Sequence, residues 1–117
     1  MRLCDVTIER RQVHDQMVLV LAGRMDAENA PQFEQECNAR IVEGSTGLLV
    51  DMGELTYVSS MGLRCFVSVA KKLQSQGGEL RICRLQGLVK QVFEITGLSR
   101  SLAVYESVES AISGSQK

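Results

Sequence analysis

Apolar and polar residues alternate over Val6-Thr7-Ile8-Glu9, the period of a half-buried strand. Residues 10–16 are polar and read as a turn, and residues 17–22 are apolar without a break, the pattern of a strand buried on both faces. Two strands joined by a short polar link predict an antiparallel hairpin. Gly23-Arg24-Met25-Asp26 ends the second strand, with Asp26 where a helix N-cap belongs and Pro31 in the first turns of the helix. Ala30, Phe33, Cys37 and Ile41 then recur at helical spacing, and residues 43–47 (EGSTG) close that helix.

The chain is organised around residues 48–63, LLVDMGELTYVSSMGL. Leu48-Leu49-Val50 is a short apolar run ending at Asp51, which suits a buried strand, and residues 52–57 are expected to cross the surface. Ser59 and Ser60 come next, ahead of Leu63, Phe66, Val67, Ala70 and Leu73 at helical period. A serine before such a run is an N-cap signal. A hydroxyl is therefore expected at the mouth of a helix, where backbone N–H groups and the helix dipole favour negative charge. As a cap alone it would contribute about 1 kcal/mol.

Gly77-Gly78 makes a break, residues 79–83 read as a strand, and Leu85, Leu88, Val89, Val92 and Phe93 define another helix. Gly97-Leu98 resembles a glycine C-cap with its trailing apolar contact. Residues 102–105 form a last short strand, Val108, Ala111 and Ile112 indicate a terminal helix, and residues 114–117 a loose tail. The prediction is one α/β domain over residues 1–113, a mixed, mostly parallel sheet flanked by helices in the order β-β-α-β-α-β-α-β-α. The strands that precede helices end near Gly23, Asp51 and Cys83. In parallel α/β sheets ligands and partners are met at that edge, so Asp26 and Ser60 are expected on one surface.

Composition narrows the function. The chain has 117 residues, 44% of them hydrophobic but only 4% aromatic, so its core is built from aliphatic residues. With a net charge of −1 and no Lys/Arg run beyond a pair, a nucleic-acid groove or polybasic membrane patch is not expected. No apolar run approaches the roughly 18 residues of a membrane span. Cys4, Cys37, Cys65 and Cys83 form no C-x-x-C pair, so neither a zinc site nor any other metal or cofactor is expected. The N-terminus MRLCD lacks an apolar leader, and a cytoplasmic protein with reduced thiols follows.

Enzyme chemistry finds little support. Around Ser60 the sequence is Val58-Ser59-Ser60-Met61-Gly62, half of a G-x-S-x-G elbow. The sole histidine, His14, falls in the predicted first turn and reads as a surface residue. No phosphate-binding glycine loop is present. Asp26, Asp51 and Glu54 are scattered, and Asp51 is expected to accept hydrogen bonds in the loop that follows it. Cys65 reads as a packed thiol. A small serine hydrolase is thus a remote alternative to a binding module with a covalent switch.

Three segments carry a family resemblance, over roughly residues 6–112. Leu21-Ala22-Gly23-Arg24-Met25-Asp26 is similar to an L-x-G-x-[LM]-D step into a first helix. Val50-Asp51, followed by Tyr57-Val58-Ser59-Ser60-Met61-Gly62-Leu63-Arg64, resembles the signature D-[LMF]…[YF]-[IVM]-[DS]-S-x-G-L. Gly78-Glu79-Leu80, with Val89, Val92, Phe93, Gly97 and Leu98, follows in the right order. The chain resembles the STAS domain family, specifically its stand-alone bacterial anti-sigma factor antagonists. The resemblance implies a protein-interaction switch that is not an enzyme. A serine kinase that is also an anti-sigma factor would phosphorylate Ser60, and a PP2C-type phosphatase would reverse this. The unphosphorylated form would bind the kinase and free its sigma factor or other client. Many members have Asp where this chain has Ser59, which leaves the acceptor between Ser60 and Ser59, and the bulky Met61 replaces a residue that is often small. Asp26, Ser59, Ser60, Met61, Gly62, Arg64 and Ser68 are the expected partner-facing residues. The alternative within the family is a non-switching subunit docked on a transporter or another complex.

Overall fold

The computed structural model describes residues 6–44 and 47–114, which places Cys4 and the last residues of the expected tail, 115–117, outside the described part. The elements are β1 (Thr7–Val13), β2 (Gln16–Met25), α1 (Ala30–Val42), β3 (Gly47–Val58), α2 (Ser60–Ser75), β4 (Glu79–Cys83), α3 (Gly87–Ile95), α4 (Leu98–Ser101), β5 (Ala103–Tyr105) and α5 (Val108–Gly114). The sheet order is β1-β2-β3-β4-β5, with β1 antiparallel to β2 and every other pair parallel. This is the predicted architecture with one added helical turn, α4. Gly97, at φ 80°, ends α3 in the left-handed conformation, and the chain then makes one more turn.

The continuous apolar run in β2 is explained by two cores. Leu19 and Leu21 enter the larger one, with α1, α2 and α3, and Val18 and Val20 enter the smaller one, with Leu49, Cys83 and the α5 residues Ala111 and Ile112. In the larger core one phenylalanine from each helix meets the next. Phe33 and Phe66 have ring centroids 4.6 Å apart, and Phe66 meets Phe93 edge-on at 5.5 Å.

Two predicted boundaries are corrected. Residues 10–16 are not all turn. β1 runs to Val13, and only His14 and Asp15 separate it from β2. The polar residues belong to a strand at the sheet edge, where exposed charges discourage pairing with another chain.

The second correction bears on the site. β3 does not stop at Asp51 but continues to Val58, burying Met52, Leu55 and Val58. Asp51 and Gly53 look like turn signals and are instead parts of a clamp. Asp51, 1% exposed, accepts from the N–H of Gly53 (2.9 Å), within the strand and not in the expected loop, and from Arg84 Nη1 (2.9 and 3.2 Å). A Cβ on Gly53 would lie 2.4 Å from the Arg84 Cζ, so only glycine leaves room for the guanidinium. Gln86 Nε2 donates to the Gly53 carbonyl. β4 pairs with β3 only as far as Asp51, and these side chains from the β4–α3 link serve the strand beyond.

Arg84→Ala leaves a buried carboxylate without its cation. We expect a loss of about 1–3 kcal/mol, read from urea denaturation, with Arg84→Lys recovering part of it.

Candidate functional site

The C-terminal ends of β2 and β3 lie side by side. Met25 is in register with Val58, and the Ser59 N–H donates to the Met25 carbonyl at 2.8 Å. One bond thus ties the mouth of α2 to the β2–α1 loop that carries Asp26. Gly62 packs into this junction. A Cβ there would be 2.7 Å from Val58 Cγ2 and 3.0 Å from Met25 Sδ, so Gly62 shapes the site from within and is buried, not partner-facing.

The two serines have different surroundings. Ser59 is the N-cap, with extended backbone (φ −84°, ψ 171°) and its half-buried hydroxyl accepting from the Gly62 N–H at 3.1 Å. Ser60 is the first residue of the helix, is exposed, and has no side-chain hydrogen bond among the described residues. Met61 is 39% exposed, and Arg64, one turn further on, is also exposed.

Asp26 is not the cap of α1, a position held by Asn29. Asp26 Oδ1 accepts from the N–H groups of Glu28 (3.0 Å) and Asn29 (2.9 Å), and Asn29 Oδ1 accepts from the Asp26 N–H (2.9 Å). This reciprocal pairing ties the loop together ahead of a helix that starts three residues later than the predicted cap implies. Asn29, 3% exposed, also donates to the Arg24 carbonyl.

Ser68 is placed differently from the expectation of an exposed partner contact. It is half-buried between α1 and α2 and donates to Glu34 Oε2 at 2.9 Å. Cys65 Sγ donates to Glu34 Oε1, and Lys72 bridges Glu34 and Asn38. The Ser68 hydrogen bond, outweighing the opposing effect of partial burial, holds the Glu34 carboxyl below its ordinary range. Burial pushes the thiols up, Cys65 to about 11 and Cys37 and Cys83 to about 12, which makes all three poor nucleophiles.

His14 lies in the β1–β2 turn, at the opposite end of the ten-residue β2 from Met25, and pairs with Glu109 at 3.4 Å. It is therefore remote from Ser60. Among the described residues no three His, Cys, Asp or Glu side chains cluster to hold a metal, and no helix is long and apolar enough to cross a membrane. Beside the site Arg24 stacks on the Tyr57 ring at 4.2 Å, a contact with no sequence signal. That contact is set by pairing across β2 and β3, which local patterns do not reveal.

Two measurements follow from this geometry. Ser59→Ala loses the cap and about 1 kcal/mol of stability, whereas Ser60→Ala changes stability by less than about 0.5 kcal/mol in the same denaturation assay. Because the folded-state pKa of Glu34 is depressed, its stabilising contribution is complete above the ordinary carboxylate range and is lost as pH falls through the folded value. Glu34→Gln should be less stable than the parent near pH 7, and the gap should narrow in thermal melts as pH falls through the depressed folded-state range of Glu34.

Comparison with known proteins agrees with this architecture. The STAS domain family model matches residues 7–111. BtrV of Bordetella bronchiseptica is 37% identical over 100 residues, 86% of each chain. The anti-sigma-B factor antagonist of Listeria monocytogenes is 32% identical over 110 residues, 94% of this chain and 95% of that one. Among solved structures, an anti-sigma factor antagonist from Mycobacterium paratuberculosis superposes with a TM-score of 0.85 at 20% identity, covering 97% of this chain and 96% of that one. The Bacillus cell fate determinant SpoIIAA in its phosphorylated form gives 0.70 at 18% identity, covering 92% and 97%. With a family match over most of its length and relatives above 30% identity over most of both chains, the chain belongs to the STAS domain family.

Proposed function

We propose that this protein is a phosphorylation-controlled interaction switch of the anti-sigma factor antagonist type, with Ser60 as the acceptor. The observation that carries this reading is the contrast between adjacent serines. The Ser59 hydroxyl is engaged in capping α2, whereas the Ser60 hydroxyl is exposed and unbonded. Relatives named as anti-sigma factor antagonists, and a structural neighbour solved in both unphosphorylated and phosphorylated forms, support it.

The partner is a serine kinase that doubles as an anti-sigma factor or holds another client. It transfers a phosphoryl group to the Ser60 Oγ, the hydroxyl proton passing to the kinase's base and the nucleoside diphosphate leaving. A PP2C-type phosphatase hydrolyses the ester and restores binding. The unphosphorylated form presents Ser60, Met61 and Arg64 to the kinase, beside the Asp26 loop, and binding displaces the client.

The phosphate adds about −1.5 to −2 charges at a rigid position. One unit of like-charge repulsion at about 4 Å, with an effective dielectric near 20, is on the order of 4 kcal/mol, about a thousandfold in affinity. The fold need not rearrange. Catalysis has no support in the site, since the thiols are raised in pKa and His14 is at the far end of the sheet.

Tandem mass spectrometry of the protein from its native cells, across growth conditions, tests the assignment. Phosphate on Ser60 that rises and falls with conditions is expected, together with capture of a kinase by the parent protein and by Ser60→Ala but not by Ser60→Glu. Phosphate on Ser59 would move the site, and its absence from well-covered peptides would favour a passive docking subunit.

A further inference from the structure

We propose that Arg64 is the built-in counter-ion for a phosphate on Ser60. Modification then acts twice: it adds negative charge at the helix mouth, and it withdraws the Arg64 guanidinium from a partner. The inference rests on Ser60 as the modified residue.

Ser60 is the first residue of the sixteen-residue α2, and Arg64 stands four residues on. Side chains at that spacing lie on one face of a helix, and helical Cα–Cβ bonds tilt toward the N-terminus, so the longer Arg64 side chain leans back toward the mouth. An acid placed four residues before a base is the favourable order. Both residues are exposed.

Arg64 is also available. Among the described residues it has no ion pair, whereas Arg40 pairs with Glu36 and Glu43, Lys72 with Glu34, Arg84 with Asp51, and Arg24 stacks on Tyr57. The N–H groups at the mouth have a similar division. Gly62 donates to the Ser59 hydroxyl and Leu63 to the Ser59 carbonyl, so those of Ser60 and Met61 remain for a phosphate oxygen. The guanidinium adds a planar fork of donors that matches phosphate geometry. Other charged groups lie in the β2–α1 junction to which Ser59 is bonded, namely Asp26 and Glu28 in the loop and Arg24 at the end of β2. They are common to every variant below and cancel in the comparison.

The test is a phosphorus NMR titration of the full chain with phosphoserine installed at position 60 by genetic encoding, in the parent and in Arg64→Gln and Arg64→Lys. The midpoint of the parent phosphate's second ionisation should fall below the ordinary value of about 6. Arg64→Gln should raise it by about 0.3 pH unit or more, with Arg64→Lys between the two, and the difference should shrink in molar salt. Thermal melts of the unphosphorylated variants should match the parent, as befits an exposed residue. An Arg64→Gln titration within about 0.1 unit of the parent would overturn the proposal, because an ion pair must shift the phosphate's affinity for its proton. Since the phosphate is installed directly, the result is independent of whether a cellular kinase uses Ser60, which the mass spectrometry reads separately.

Discussion

The site depends on a strand that outruns its neighbour. β3 pairs with β4 only through Asp51, yet continues to Val58. Beyond Asp51 it keeps β2 on one side and would show unpaired backbone on the other. The Arg84–Asp51 ion pair and the Gln86 amide on the Gly53 carbonyl supply what β4 does not. Asp51 is nearly inaccessible to water, so its charge is tolerable only because Arg84 and the Gly53 N–H meet it. That clamp carries the strand to the point where Ser59 can bond Met25, and the mouth of α2 is thereby fixed against the β2–α1 loop.

A rigid mouth suits a switch made of charge. Ser59 is committed to the helix it caps, and Gly62 is packed without room for a Cβ. Ser60 has no structural duty, so a group attached to its hydroxyl displaces nothing. A partner would meet the same backbone with a different charge, and recognition would change without a conformational step. Arg64, four residues on, is exposed on the same face of the helix.

Packing between α1 and α2 sets the limit of that surface. Glu34 draws Cys65, Ser68 and Lys72 toward α1, so the exposed residues near the mouth of α2 are Ser60, Met61 and Arg64, and exposure returns only at Lys71, Gln74 and Ser75 near its far end. Two residues of opposite exposure, Ser68 and Arg64, are one helical turn apart. The difference between them comes from the carboxylate of another helix.

Much of this was legible in the chain. The uninterrupted apolar run of β2 reported a strand buried on both faces, and Ala30, Phe33, Cys37 and Ile41 all proved buried on α1. The alternation in β1, the glycine before β4 and Gly97 after α3 are local signals, because a side chain's own spacing or a positive φ suffices to produce them. The serine pair at the start of α2 is of the same kind, and so is the family signature around it. What the sequence did not reveal depends on contacts between distant segments. Asp51 and Gly53 carry the residue types of a turn but lie within a strand, since Arg84, 33 residues away, neutralises one and fills the space above the other. Asp26 has a cap's chemistry but spends it on its own loop, and Ser68 turns inward to Glu34. Local pattern therefore determined which residues form strands, helices and the helix mouth, because period and capping act within a few residues. Only the tertiary structure decided where β3 ends, which serine is free and which side chains of α2 remain exposed, because those depend on burial and on charges supplied from elsewhere in the chain.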